Sequence, residues 1–252
     1  MIPADRFANR VTDYVSGRPG YPDDVVAWLA ATFGLERDAS IADVGAGTGI
    51  SAGLFLRHGY RVVAVEPNDA MREAAVTALG ANPRFRAVAA PAEATTLPAG
   101  SIDAVVAAQA FHWFDGATFR AECSRILKRG GFVALLWNVR RANGSAFAAG
   151  YEALLREFGT DYLAVRHENV SDDQLAAFFG GPCERRVFEN IQMLDRKGLR
   201  ARLLSSSYVP AAGEERHDAM LAALEALFRA HQQGGRVAME YELRGYASRL
   251  TT

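Results

Sequence analysis

Lysine is nearly missing from this sequence: Lys128 and Lys197 are the only two among 28 basic residues in a chain of 252. That arginine bias reflects composition and carries no mechanistic meaning. Cysteine is as scarce. Cys123 and Cys183 lie far apart and outside any CxxC or Cys/His spacing, so neither a disulfide framework nor a zinc site is supported. Long apolar runs are also lacking, and the start Met-Ile-Pro-Ala-Asp-Arg-Phe has no apolar signal-peptide core, which predicts a soluble, cytoplasmic protein without membrane contact. Charge of one sign is not in excess. Lys plus Arg at 28 against Asp plus Glu at 29 gives a net charge of -1, and no electrostatic reason to expect a nucleic-acid partner.

What is present suits a buried core, with half of the residues apolar. The stretch Ile41-Ala-Asp-Val-Gly-Ala-Gly-Thr-Gly49 organises the chain: a short apolar run reaches an acidic residue and breaks into glycines at alternate positions. It reads as a buried strand turning sharply into a helix, with backbone amides open to a ligand. Strands are predicted at Ile41–Val44, Arg61–Glu66, Phe85–Val88, Ile102–Val106 and Phe132–Trp137. Helices are predicted near Asp23–Phe33, Ile50–Arg57, Asp69–Leu79 and Gly116–Leu127.

Beyond Asn143-Gly144 the pattern changes. Helical stretches near Ser145–Phe158, Asp172–Phe179 and Glu214–Gln232 flank two strand-like segments, Arg185–Leu194 and Arg236–Arg244. The alternation predicts a doubly wound α/β fold with a seven-stranded, mostly parallel sheet, an antiparallel last strand and a helical cap. A single domain is expected. Within it, residues 1–22 would form an N-terminal lid, too rich in proline and glycine for a long helix, residues 23–140 a cofactor-binding core, and residues 141–252 the completion of the sheet and an acceptor-covering insertion.

Two cofactors compete for the glycine turn. From Gly47, Gly-Thr-Gly-Ile-Ser-Ala52 fits G-x-G-x-x-[GA], and Glu66 stands where a dinucleotide ribose would want it. The other register is Asp43-x-Gly45-x-Gly47-x-Gly49. A pyrophosphate beside the Asp43 carboxylate would be repelled, whereas the ammonium and sulfonium of S-adenosylmethionine would be favoured. Neither lysine lies four residues after a tyrosine, as a short-chain dehydrogenase would require. A nicotinamide-dependent oxidoreductase and a non-catalytic cofactor-binding module remain the alternatives.

Five ordered segments carry a resemblance: Asp43 to Gly49, Val65-Glu-Pro-Asn-Asp-Ala-Met71, Ala92-Glu93 leading to Leu97-Pro-Ala-Gly-Ser-Ile-Asp103, Ala108-Gln-Ala-Phe-His-Trp-Phe114, and Ile126-Leu-Lys-Arg-Gly-Gly-Phe132. Over most of residues 5 to 140 the chain resembles the class I S-adenosylmethionine-dependent methyltransferases, and through Arg18-Pro-Gly-Tyr-Pro22 and Phe111-His-Trp-Phe114 it looks most like their small-molecule branch, methyltransferase type 11 and the trans-aconitate methyltransferase-like proteins. The resemblance implies that S-adenosylmethionine is the cofactor and S-adenosylhomocysteine the product. It sets Gly45, Ala46, Gly47 and Gly49 under the methionine part, with Asp43 beside them, and Glu66 on the ribose. Pro67 and Met71 would pack on the adenine, with Ala92 and Glu93 at its edge. Gln109, Ala110 and Phe111 would line the cofactor near the methyl group, while Tyr14 and Arg18 would fold over it.

His112 is the candidate general base, with a pocket-wall role as its alternative; it follows the fourth strand, where ligands collect in open α/β sheets. His112, Trp113 and Tyr208 are the candidate acceptor contacts. Ser205-Ser-Ser-Tyr208-Val-Pro210 reads either as a polar lip or as an ordinary helix end, and Arg140-Arg141 either as a site for an acidic acceptor or as a solvated pair. His58, His167, His217 and His231 read as surface or capping residues, with no metal site. The expected activity is transfer of a methyl group to an oxygen, less readily a nitrogen or carbon, of a small-molecule acceptor by a monomer or homodimer.

Overall fold

A computed structural model describes residues 11–160, 162 and 170–250. The first ten residues of the expected lid, and His167, lie outside the described residues. In chain order, a short helix α1 (Val11–Gly17) and α2 (Asp24–Phe33) precede β1 (Ser40–Val44), α3 (Ile50–Arg57), β2 (Arg61–Val65) and α4 (Asp69–Leu79). Next come β3 (Phe85–Val88), β4 (Ile102–Ala108), α5 (Gly116–Ile126) and β5 (Leu127–Arg140). The remainder is α6 (Ala146–Phe158), α7 (Asp172–Phe179), β6 (Glu184–Leu194), α8 (Arg196–Leu204), α9 (His217–His231) and β7 (Val237–Ser248). No helix among the described residues is long and apolar enough to cross a membrane.

The strands form one seven-stranded sheet in the order β3-β2-β1-β4-β5-β7-β6. Pairing is parallel from β3 to β5, and β7 runs antiparallel to both β5 and β6. The central strands are buried on both faces, so alternate residues feed opposite cores. Ala42, Val44, Val105 and Val133 meet α5 and α7 on one side. Ile41, Ala104, Val106 and Ala134 meet α2 and α3 on the other. A third apolar cluster joins α6, α8 and α9 to Val237, Met239 and Tyr241 of β7.

Three differences from the sequence reading bear on the site. β5 runs on to Arg140, past the expected end at Trp137, because it pairs with β7 along its whole second half. β5 also starts at Leu127, ahead of the expected Phe132, so Gly130-Gly131 lies inside the strand's span, where the pairing with β4 slips by several residues between Ile102 and Ala104. Helix α8, of which the sequence offered only the end at Ser205 as one alternative, stands between β6 and β7, with Leu199 and Leu203 as its buried stripe. α1 packs against α8 so closely that a Cβ on Gly17 would come within 2.4 Å of the Arg202 amide nitrogen. Polar side chains of the sheet then hold the following segment. Gln192 donates to the Gly17 carbonyl (3.0 Å), while Asn138 (3.1 Å) and Asn190 (2.8 Å) donate to that of Gly20.

Candidate functional site

The loops at the carboxyl ends of β1, β2 and β4 surround an open cleft. Its first wall is the glycine turn. Gly45 and Ala46 donate to the Val65 carbonyl at 2.9 and 3.2 Å, tying the turn to the neighbouring strand. Gly45 has φ +68°, and a Cβ there would meet the Ala110 Cβ at 2.6 Å and the Phe114 ring at 2.9 Å. Only glycine satisfies both the left-handed backbone and the close approach.

Glu66, at the end of β2, braces the same turn. Its Oε2 accepts from the Gly47 amide and its Oε1 from the Asn68 amide, both at 2.9 Å. Burial raises its pKa above the ordinary glutamate value, and the two backbone donors oppose that rise. Asn68 in turn caps α4 by accepting from the Met71 amide at 3.0 Å.

Asp43 sits beneath the turn, fully buried, and lines neither this cleft nor its neighbour. Its Oδ2 accepts from the Ser51 hydroxyl at 2.6 Å, while Oδ1 has no hydrogen-bond partner. Burial raises its carboxyl pKa from 3.8 to about 7, against the lowering effect of the Ser51 hydrogen bond. Over that range the folded chain holds a proton that the unfolded chain releases, so this group's contribution to stability falls as pH rises toward and through 7. Asp43→Asn should flatten the cofactor-free melting temperature between about pH 5 and pH 8 and raise stability at the upper end by a few kcal/mol. Parallel pH slopes in variant and wild type, read by calorimetry, would show that Asp43 does not titrate there.

Of the residues expected at the cofactor, Gly45, Gly47, Glu66, Pro67 and Met71 line this cleft, as do Tyr14, Ala92, Glu93, Gln109 and Ala110. Ala46 and Gly49 supply turn backbone without reaching the wall. Phe111 points into the core, 4.7 Å from Phe178 between ring centroids. Arg18 lies in a second cavity.

That second cavity adjoins the first, and Tyr14, Gln109 and Trp113 line both. Gln109 holds a left-handed backbone (φ 58°) that is uncommon for a non-glycine residue. Its Nε2 donates to the Asn138 carbonyl at 3.0 Å, which links the ends of β4 and β5. His112, Trp113 and Tyr208 are all in this wall, as are Arg18 and Ser207. Arg140 lines it as well, whereas Arg141 sits outside, 3.5 Å from Glu242 and 3.7 Å from Glu189. Among the remaining histidines, His58 contacts Asp23 at 3.0 Å, and His217, at the start of α9, is buried with Nδ1 3.0 Å from the Pro210 carbonyl.

Sequence reasoning missed Asn138, Glu152, Tyr162, Arg202 and Tyr241, which all line the second cavity. Asn138 carried a signal, a polar residue near the end of an apolar strand. Arg202 carried none, because Arg196, Lys197 and Arg200 on the same helix are exposed and only the packing of α8 distinguishes them.

Residues 42–135 match a family described as a methyltransferase domain. An uncharacterized methyltransferase of Mycobacterium tuberculosis is 37% identical over 134 residues, 53% of this chain and 52% of that protein. A candidate methyltransferase of Dictyostelium discoideum is 31% identical over 173 residues, covering 67% of this chain and 64% of its own. The chain thus spans about half the length of the mycobacterial relative it matches. A solved structure of a candidate type II methyltransferase from Anaeromyxobacter dehalogenans shares the fold, with TM-score 0.61 and 22% identity over 92% of this chain and 98% of that one. With the seven-stranded topology and the glycine turn at the end of β1, these matches show that the chain carries a methyltransferase domain with the class I, Rossmann-like methyltransferase fold.

Proposed function

We propose that the chain transfers the methyl group of S-adenosylmethionine to an oxygen, less readily a nitrogen or carbon, of a small-molecule acceptor. The observation that carries this reading is the pair of adjoining cavities with Tyr14, Gln109 and Trp113 in their common wall. One cavity has the fittings of a nucleoside site, and the other is a separate polar chamber at the same end of the sheet. Residues 1–252 act as one domain on this reading, with residues 1–22 as a lid and residues 141–252 completing the sheet and covering the acceptor.

The fittings agree with the cofactor. The glycine turn leaves a cradle that a Cβ at Gly45 would disrupt. Glu66 keeps acceptor capacity for a ribose diol beyond its two backbone donors. Pro67, Met71 and Ala92 offer apolar surface for a purine. When bound, S-adenosylmethionine supplies a methyl group on a sulfonium with a good leaving group. The chain's part is to align the acceptor with that methyl and exclude water. Gln109, Trp113 and Tyr14 stand where that alignment is set.

His112 serves in this account as a wall of the acceptor chamber, beside Trp113 with ring centroids 4.8 Å apart. Incubation with methyl-labelled cofactor and a metabolite extract should yield a labelled small molecule, identified by mass. Absence of label in any fraction, with cofactor bound, would reduce the chain to a binding module. On the identified acceptor, His112→Ala should retain turnover within about tenfold; a loss of 100-fold or more would instead make it the general base.

A further inference from the structure

The sheet ends at β6, and among the described residues the outer edge of that strand has no backbone hydrogen-bond partner. All 11 residues of β6 pair with β7 in one unbroken register, so the open edge is long and regular. Sheets commonly blunt such an edge with a short strand, a bulge, proline or charge. The opposite edge strand, β3, has only 4 residues. Glu184 to Leu194 contains neither proline nor lysine, and its few charges are of both signs.

One face of β6 is already occupied. Phe188 lies 5.8 Å from Trp28 between ring centroids, while Asn190 and Gln192 hold the Gly20 and Gly17 carbonyls. The other face carries Val187, Ile191 and Met193, each more than half exposed. They are three of the five large apolar side chains that are exposed among the described residues, so exposed apolar surface is concentrated on this strand. Arg185 and Glu189 flank Val187 on the same face. Glu189 is 80% exposed and meets Arg141 at 3.7 Å, beyond hydrogen-bond reach. Arg185 lies 2.9 Å from Asp172 and is still half exposed.

These charges select a partner. A second copy of the strand, running antiparallel about a two-fold axis perpendicular to the sheet, must place one residue opposite itself. Centred on Glu189, the pairing would set carboxylate against carboxylate. Centred on Phe188, Asn190 or Ile191, it would set Glu189 against Val187, Ile191 or Met193. Centred on Val187, it sets Arg185 of each copy against Glu189 of the other and Val187 against itself, with Glu184 to Asn190 paired throughout. Of these registers only the last matches charge with opposite charge and apolar with apolar.

We infer that β6 is the docking edge for a second copy of this chain, which joins two seven-stranded sheets into one continuous sheet by antiparallel pairing centred on Val187. The free backbone groups of the edge supply the hydrogen bonds. The Arg185–Glu189 pair forms twice by symmetry and fixes the register. The inference is independent of which cofactor or acceptor the chain binds.

Sedimentation velocity of the full chain at micromolar concentrations and above tests it, and a dimer is expected. Glu189→Arg sets arginine against arginine and Arg185→Glu sets carboxylate against carboxylate, so each should weaken the dimer by about tenfold or more. Both substitutions in one chain only exchange the signs, and should restore association to within about threefold of wild type. Loss of a role confined to one copy would not be rescued in this way. In a Cys183→Ser background, Val187→Cys should form a disulfide between copies under mild oxidation. Met193→Cys, similarly exposed but far from the axis, should not.

A monomer at every concentration, a dimer indifferent to the charge reversals, or equal cross-linking through Met193→Cys and Val187→Cys overturns the inference. Should a charge variant fail to fold, the two cysteine variants decide.

Discussion

Glu66→Ala is expected to weaken binding of S-adenosylhomocysteine by about two orders of magnitude, the first of two large effects that the cofactor cleft predicts. Two sources add. The substitution strips the acceptor from the Gly47 and Asn68 amides, each bonded to the carboxylate at 2.9 Å. An amide left without a partner costs about 1 to 3 kcal/mol where water is excluded, and Glu66 is only 8% exposed. On the proposed reading it also removes the acceptor of the ribose hydroxyls, worth about 1.5 to 3 kcal/mol for a charged partner.

Glu66→Gln separates the two. Its single carbonyl oxygen can satisfy one amide, but its NH₂ must then face the other donor, so affinity should fall less than for alanine while the melting temperature still drops. Titration calorimetry reads the first quantity and thermal unfolding the second. An alanine variant within threefold of wild-type affinity would place the cofactor elsewhere.

Gly45→Ala should do more damage for one carbon atom. At φ +68° an alanine pays about 1 to 2 kcal/mol for the left-handed backbone alone. Its Cβ would also stand 2.6 Å from the Ala110 Cβ and 2.9 Å from the Phe114 ring, so the turn or the loop after β4 must move. These neighbours are themselves in the cleft wall. A stability loss of about 3 kcal/mol, or a melting temperature lower by roughly 6 to 12 °C, is expected together with undetectable cofactor binding. Retained binding would mean that the wall is more compliant than its packing implies.

The sheet was legible in the sequence where local chemistry and tertiary structure agree. The helices Ile50–Arg57, Asp69–Leu79 and Asp172–Phe179 and the strand Phe85–Val88 have their expected boundaries. At Asp69 and Asp172, capping side chains of Asn68 and Ser171 mark the helix start in the sequence itself. Helix α8 was not legible, because Arg-Lys-Gly-Leu-Arg-Ala-Arg reads as polar surface until α6, α9 and β7 supply the partners for Leu199 and Leu203.

The site divides in the same way. Residues of the glycine turn and the ends of β2 and β4 fall into one cleft because each follows a strand, and strand ends converge. Asp43 was expected beside the ligand on charge grounds, yet the last residues of β1 are fully covered, and its carboxylate instead engages Ser51 at the start of α3. Arg18 was expected over the cofactor, and its position against Ser205 depends on α8. Nothing local to residues 5 to 22 encodes that contact.

Strand β5 has an architectural consequence of its own. To one side of it, β1 to β4 and their loops build the cleft with the glycine turn; to the other, β7, β6 and the helices between them carry Arg202 and Tyr241. The two cavities have Tyr14, Gln109 and Trp113 in common, and His112 and Ile50 from the first side also line the second cavity. On the proposed reading, substitutions beyond β5 should change which molecule is accepted with less effect on cofactor binding. A replacement for the stretch from β6 to β7 would then have to fit Asn138 and Arg140 on β5, and Arg18 and His112 across the same cavity.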